Sequence, residues 1–328
     1  MRNDRVSEVL ARTLAEREQA GRWLVVDDLG GHVRAALPPE TTEDWFRTGY
    51  GGRDARPGPP EGPFDGIALR LPRGRLAVQM TAHLLAARLT PAGALWVAGS
   101  NDEGIRSIPG RIGSLFPDVA AIDARRHCRV WRARGRDAPL RGQLADWATA
   151  VRVEAAGVAL HWLSWPSLFA HGRLDKGTQL LLENVPPLSG RVLDFACGAG
   201  VVSQFLLRRG DPVTVDASDV DALAVHATRH NAPDVAVQVA DGIPLAGGPW
   251  DTIVSNPPVH LGKDANSGAL HALAATAPHR LARNGSLWIV VQGSIPVQRA
   301  LDAAFTDVSC VAQAPGYRLW RATAARIG

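Results

Sequence analysis

The chain is 328 residues long, 46% hydrophobic and 21% charged. That length favours two domains over one, and that balance excludes a disordered composition. No run of about 18 apolar residues occurs, so no membrane span is expected.

From the N-terminus, Met1–Glu18 mixes acids and arginines in a helical pattern and lacks the apolar core of a secretory leader. Gly49–Pro63, dense in glycine and proline, reads as a surface loop inside a first domain. The arginine-rich Arg132–Arg141 ends that domain. We therefore expect a first domain over 1–138, a linker over 139–152 and a second domain over 153–328. The formal charge of +4 is uneven. Residues 1–150 hold 22 arginines against 18 carboxylates, and residues 151–328 hold 14 of each sign. A first domain that faces a polyanion fits this asymmetry. Cys128, Cys197 and Cys310 are far apart and form no CxxC pair. Neither a disulfide framework nor a metal site is expected, and a reducing cytoplasm fits.

The two halves share a pattern. Phe64–Ala68 resembles Trp250–Val254, Leu89–Val97 resembles Leu281–Ile289, and Cys128–Ala133 resembles Tyr317–Ala322. The three pairs keep their order and nearly their offset, the signature of a duplication. In the second half, strands are expected at Val192–Ala196, Pro212–Ser218, Val235–Val239, Thr252–Ser255 and Leu287–Gln292. Helices are expected at Val201–Arg209 and Val220–His230. Such alternation implies a largely parallel sheet covered on both faces.

Asp194-Phe195-Ala196-Cys197-Gly198-Ala199-Gly200 follows the first of these strands and opens a helix. Glycines there let the backbone turn tightly and approach a ligand. About twenty residues on, a carboxylate at a strand end can accept both ribose hydroxyls of an adenosine. Asp219, at the strand-to-helix switch, is favoured over Asp216. Asp241 follows the next strand and is placed to meet the adenine amino group; an isolated Asp-Gly would otherwise be a turn. The absence of a third glycine and of a phosphate-loop lysine weakens dinucleotide and nucleoside triphosphate readings.

Asn256-Pro257-Pro258 closes the fourth strand, and its two prolines stiffen the loop. An sp2 amine is a poor nucleophile because its lone pair is delocalised. The Asn256 side-chain oxygen and the Pro257 carbonyl can accept its two hydrogens and aim that lone pair at a methyl carbon. The rest is alignment for an in-line displacement on a sulfonium. The chemistry expected is methyl transfer from S-adenosyl-L-methionine to an amine. No metal is called for: His171 and His260 lack a third ligand at usable spacing.

With these segments in view, the chain resembles the bacterial ribosomal RNA guanine-N2 methyltransferases of the small subunit. Leu168–Leu182, Val192–Gly200, Asp219–Ala227 and Ile253–Lys263 carry the likeness, with Gly99–Ser107 and Asp123–Arg126 in the first half. The resemblance implies an α/β fold of two tandem Rossmann-like class I methyltransferase domains, the first degenerate and helping to fold the protein and hold RNA. The first half indeed lacks Asp-x-x-x-Gly-x-Gly and has Arg70-Leu71-Pro72-Arg73 in place of Asn-Pro-Pro. The resemblance further implies N2 methylation of a guanine, most simply in 16S RNA, by a monomer acting on ribosomal RNA or the small subunit. Asn256, Pro257 and Pro258 would be catalytic. Asp194, Ala196, Gly198, Gly200, Asp219, Asp241, Phe169 and Gly177 would hold the cofactor. Val259, His260, Lys263, Arg125 and Arg126 would meet the RNA. The family usually has an aromatic residue after Asn-Pro-Pro; here it is Val259, which offers a flipped base aliphatic contact only.

Four tryptophans, Trp96, Trp131, Trp288 and Trp320, fall in strand-like runs and are expected in the core. Trp162 and Trp165 precede the Leu168–Leu182 block and are placed to flank the cofactor. Arg125–Arg136 reads either as a solvated edge or as a phosphate-positioning run. Two rival functions remain open on this sequence. One is a protein glutamine-N5 methyltransferase, which usually has a helical first domain instead of an αβ one. The other is an RNA-binding assembly factor without turnover.

Overall fold

The computed structural model describes residues 4–17, 20–257 and 266–325. Pro258, Val259, His260 and Lys263 of the expected site lie outside the described residues. The chain divides into two compact units. One takes in the described parts of Met1–Thr48 and Asp54–Ala148; the other takes in Gly49–Arg53 and those of Thr149–Gly328.

The first unit opens with α1 (Arg5–Ala15), whose N-cap Asp4 accepts the Ser7 backbone N–H. It continues through β1 (Trp23–Val26), α2 (His32–Ala35), β2 (Thr42–Trp45), β3 (Phe64–Arg70), α3 (Arg75–Ala86), β4 (Leu89–Ser100), α4 (Ile108–Ile112), β5 (Asp118–Arg125) and β6 (Cys128–Arg134). The sheet order is β2-β1-β3-β4-β6-β5, with the first four strands parallel and β6 antiparallel to both neighbours. Successive side chains of a strand face opposite ways, and β1 uses both faces. Trp23 and Val25 pack with Val6, Val9, Leu10 and Leu14 of α1. Leu24 and Val26 pack with Val78, Ala82 and Leu85 of α3.

The second unit has a hairpin, β7 (Thr149–Ala155) and β8 (Val158–Ser164), and then α5 (Lys176–Asn184). There follow β9 (Gly190–Phe195), α6 (Val201–Arg209), β10 (Val213–Asp219), α7 (Ala222–Asn231), β11 (Ala236–Val239) and β12 (Trp250–Ser255). The unit ends with α8 (Asn266–Thr276), β13 (Leu281–Gln292), α9 (Gln298–Ala304), β14 (Phe305–Ala314) and β15 (Tyr317–Ala325). Its sheet order is β11-β10-β9-β12-β13-β15-β14, parallel up to β13 and antiparallel beyond.

Without β11, the two orders coincide strand for strand. The three repeated segments fall on matching strands: β3 with β12, β4 with β13, β6 with β15. A side-chain device repeats too. Gly21 precedes β1 and Gly190 begins β9, both at positive φ. A Cβ on Gly21 would lie 2.2 Å from Asp65 Oδ2, and one on Gly190 2.2 Å from Asp251 Oδ2. Each aspartate accepts the next backbone N–H, that of Arg22 at 2.9 Å and of Arg191 at 2.7 Å. The units diverge after their first strand. In the first, β1 leads through Gly30 and Gly31 to the four-residue α2; in the second, β9 leads through Gly198 and Gly200 to the nine-residue α6, and in both a left-handed glycine caps the helix.

Three expectations change. Within 139–152, Leu144–Trp147 forms a 3-10 turn and Thr149 already begins β7, because Val151, Val153 and Ala155 alternate as a hairpin face does. Gly49–Pro63 is not simply a surface loop, since Gly49–Arg53 packs into the second unit. Trp131 is only partly buried, its indole N–H donating to the Ile105 carbonyl at 3.0 Å, whereas Trp96, Trp288 and Trp320 are buried.

Candidate active site

The carboxyl ends of β9, β10, β11 and β12 line up in register: Phe195 beside Ser218 and Ser255, Asp219 beside Val239. Ser255 Oγ donates to the Phe195 carbonyl at 2.8 Å and ties the two central ends together. Loops at this edge of a parallel sheet are where ligands bind.

The turn after β9 is built from left-handed backbone. Ala196 (φ 58), Gly198 (φ 55) and Gly200 (φ 75) all adopt it. A Cβ on Gly198 would meet nothing within 4 Å, so its surface is open. A Cβ on Gly200 would lie 3.0 Å from Thr228, so that glycine serves the packing of α6 on α7. Two acids brace the turn from behind. Asp194 is buried, and its Oδ2 accepts from Ser203 N at 3.0 Å and Ser203 Oγ at 2.7 Å. Asp219 accepts from Gly198 N at 3.0 Å and Asp221 N at 2.9 Å. Burial pushes each carboxyl up to about 6, against the pull of those donors. Asp216 points its Oδ2 at Arg191 (2.7 Å) and Trp250 Nε1 (2.6 Å), near the opposite end of the strands.

Asp194, Ala196, Gly198, Phe169 and Asn256 line one cleft, together with Trp162, Asp175 and Thr178. Phe169 is 48% exposed, an apolar ring held in solvent at the mouth. Asn256 extends from the end of β12. Its Nδ2 donates to Asp175 Oδ2 at 3.0 Å and Thr178 Oγ1 at 2.9 Å. An amide nitrogen has two hydrogens, and both are taken. The orientation is therefore fixed, and Oδ1 is left as an acceptor. Asp175 is the N-cap of α5, accepting from Gly177 N (2.7 Å) and Thr178 N (3.0 Å), and the Tyr317 hydroxyl donates to its other oxygen at 3.3 Å.

Gly177 does not line the cleft. A Cβ there would lie 2.8 Å from the Tyr317 ring and 2.9 Å from Asp175 Oδ2, so its smallness serves this packing. Asp241 lies beyond β11, and its Oδ2 accepts the Gly51 N–H at 2.9 Å. Trp165 instead stands edge-on to His226, with ring centroids 5.3 Å apart. His171 Nδ1 lies 3.1 Å from Ser164 Oγ. Arg125 and Arg126 belong to the first unit and are ion-paired, to Asp123 at 2.8 Å and Glu8 at 2.9 Å. Among the described residues, no group of three or more His, Cys, Asp or Glu side chains could hold a metal. Asp175 and Thr178 were not singled out by sequence. Asp-Lys-Gly-Thr ahead of a leucine run is nevertheless a helix-start signal that marks Asp175 as a cap.

This sheet order, with a glycine turn on its first strand and an asparagine closing its fourth, defines a class I methyltransferase. Residues 159–321 match the family model "Methyltransferase small domain" and residues 54–151 match "Methyltransferase small domain N-terminal". A ribosomal RNA small subunit methyltransferase C of Pseudomonas entomophila is 35% identical over 81% of this chain and 81% of its own length. Another, of Pseudoalteromonas atlantica, is 31% identical over 96% of this chain and 97% of its own. A T. thermophilus 16S rRNA N2 G1207 methyltransferase, solved with AdoMet and guanosine, superposes with a TM-score of 0.81 at 22% identity. That match covers 98% of this chain and 93% of the other. The chain belongs to the ribosomal RNA small subunit methyltransferase C family.

Proposed function

We propose that this protein transfers a methyl group from S-adenosyl-L-methionine to the exocyclic N2 amine of a guanine in 16S ribosomal RNA. The observation that carries this reading is the clamped Asn256 amide. With Nδ2 held by Asp175 and Thr178, Oδ1 is the side-chain atom left to accept an N–H from a bound amine. Such an acceptor withdraws the nitrogen lone pair from conjugation and directs it into the cleft. The cofactor supplies an electrophilic methyl on sulfur. The left-handed turn from Ala196 to Gly200 offers it bare backbone, with Asp219 behind the turn for the ribose hydroxyls and Asp241 for the adenine amine. Pro257 stiffens the backbone after Asn256. Phe169 offers an apolar face at the mouth, where a base or the cofactor side chain can rest.

In this reading Pro258 completes the catalytic Asn256-Pro257-Pro258 motif, Val259, His260 and Lys263 meet the RNA, and Arg125 and Arg126 help position its phosphates. The first domain serves folding and RNA retention. The enzyme acts as a cytoplasmic monomer without a metal; among the described residues, no helix is long and apolar enough to cross a membrane.

The test is nucleoside mass spectrometry of 16S RNA from small subunits incubated with the protein and labelled cofactor. Label in N2-methylguanosine supports the reading. Label in protein glutamine, or none from an enzyme that binds cofactor and RNA, would overturn it in favour of the glutamine or assembly-factor alternative.

A further inference from the structure

The second unit includes five residues that are distant in sequence from the rest of it, Gly49–Arg53. The Gly49 N–H donates to the Val220 carbonyl at 2.8 Å, one residue past Asp219. The Gly51 N–H donates to Asp241 Oδ2 at 2.9 Å. A Cβ on Gly49 would lie 2.6 Å from Val239 Cγ1, so the segment approaches β11 closely enough that only glycine fits. Between these anchors stands Tyr50, a large side chain left 45% exposed. Burial first, and then Asp241, Asp219 and Asp221, push its phenol above the ordinary range, so all three carboxylates lie within electrostatic reach of the ring.

We propose that Gly49–Arg53 is a built wall of the S-adenosylmethionine site, and that Tyr50 packs against the adenosine held between Asp219 and Asp241. This rests on the cofactor reading above and adds a residue that the glycine turn and strand-end acids do not supply. The fit is chemical. An adenosine presents hydroxyls to one acid, an amino group to the other and an aromatic face between them, and an aromatic side chain offers that face a stacking surface. The Gly51 N–H has a second consequence. It occupies Oδ2 of Asp241 and so orients the carboxylate, leaving Oδ1 for the adenine amine.

The experiment is calorimetric titration of the full-length protein with S-adenosylhomocysteine, for wild type, Tyr50→Ala, Tyr50→Phe, Gly49→Val and Asp219→Ala. Tyr50→Ala and Gly49→Val are expected to weaken binding by about fivefold or more, the first through a lost base stack and the second by displacing the segment that carries it. Tyr50→Phe should stay within about threefold of wild type, because the ring and not the hydroxyl makes the contact. Tyr50→Ala is a surface change, so its circular dichroism and melting temperature should match wild type. Wild-type affinity in Tyr50→Ala, alongside weakened binding in Asp219→Ala, would overturn this wall while sparing the cofactor site. Unchanged binding in both variants would overturn the cofactor assignment itself.

Discussion

The Asn256 amide nitrogen donates to the Asp175 carboxylate at 3.0 Å, joining the end of β12 to the N-cap of α5. Asp175 thus holds four donors: two backbone N–H groups of its own helix, the Asn256 amide and the Tyr317 hydroxyl. A carboxylate so engaged has little freedom, and the asparagine it holds inherits that rigidity.

The clamp can be loosened without touching Asn256. Thr178→Val keeps the shape of a buried side chain and removes one acceptor from Nδ2. With one hydrogen unpaired, the amide gains a competing orientation. The expected result is a fall in kcat of about tenfold, the scale of one hydrogen bond of about 1.4 kcal/mol, with KM for the cofactor unchanged. Asp175→Ala should cost more in rate and also about 1 kcal/mol of stability as a lost cap. Single-turnover methyl transfer and thermal melts separate the two effects. A Thr178→Val enzyme with wild-type kcat would show that the amide is not positioned this way.

The buried acids make the empty protein pH-sensitive in a direction opposite to an ordinary ion-paired carboxylate. Asp194 and Asp219 titrate at about 6 in the folded chain, against a usual 3.8. The folded state therefore holds protons that the unfolded state releases. Stability from these groups is full below about 4 and falls as pH rises toward 6. Asp219→Asn should reduce the pH dependence of the melting temperature between those values to the share of Asp194, and should lower stability at every pH by the loss of one backbone acceptor, since its amide nitrogen must face the Gly198 or the Asp221 N–H. Cofactor affinity of the wild type should rise through the same interval, because the ribose hydroxyls need the carboxylate as acceptor. Calorimetry from pH 4 to 8 checks both; an affinity that falls with pH would exclude Asp219 as the ribose partner.

Much of this was legible from the chain alone because it is local. Val192–Ala196, the glycines and Val201–Arg209 are consecutive, and a strand, turn and helix in that order leave few geometries open. Asp219 is preferred over Asp216 as the proposed ribose partner because it ends its strand, while Asp216 turns to Arg191 and Trp250. What was not legible depends on approach through space. Asp175 and Thr178 reach Asn256 only because α5, packed on β13 and β15, brings its N-terminus to the residue after β12, and no spacing in the sequence announces that. Gly49–Arg53 read as one more glycine-rich loop, since its partners Val220, Val239 and Asp241 lie far along the chain. Gly177 looked like a ligand-facing glycine within the Leu168–Leu182 block, but its neighbour is the Tyr317 ring.

The duplicated glycine–aspartate device gives a paired stability prediction. Gly190→Ala places a methyl where Asp251 Oδ2 sits, at positive φ, and displaces the acceptor of the Arg191 N–H. Backbone strain of about 1–2 kcal/mol and a lost hydrogen bond of about 1 kcal/mol add to roughly 2–3 kcal/mol. Gly21→Ala meets the same geometry at Asp65 and should cost about as much. Denaturant titration of both variants checks this. A near-neutral Gly21→Ala with a damaging Gly190→Ala would mean that the first unit has relaxed the device it kept.

Asn256 itself allows the sharpest separation of chemistry from binding. Its amide nitrogen donates to Asp175 and Thr178, and the cofactor contacts proposed above are the turn and the β10 and β11 ends, so its removal should leave S-adenosylhomocysteine affinity within about twofold of wild type. The rate is another matter. Asn256→Ala deletes an oriented acceptor in the site and should slow methyl transfer by about a hundredfold or more, corresponding to roughly 3 kcal/mol of barrier. Asn256→Asp distinguishes the acceptor from the clamp. The aspartate keeps an oxygen for the substrate amine but sets a second carboxylate against Asp175, where the amide had donated. Repulsion between them should either protonate one of the pair or push the side chain out of register. Activity in Asn256→Asp should therefore be strongly impaired at pH 8 and partly recovered toward pH 6, while Asn256→Ala shows no such recovery. Rates measured across that range on 16S RNA, with cofactor binding followed in parallel, test the arrangement directly. An Asn256→Asp enzyme with wild-type rate at pH 8 would mean that the Asp175 contact plays no part in holding the acceptor.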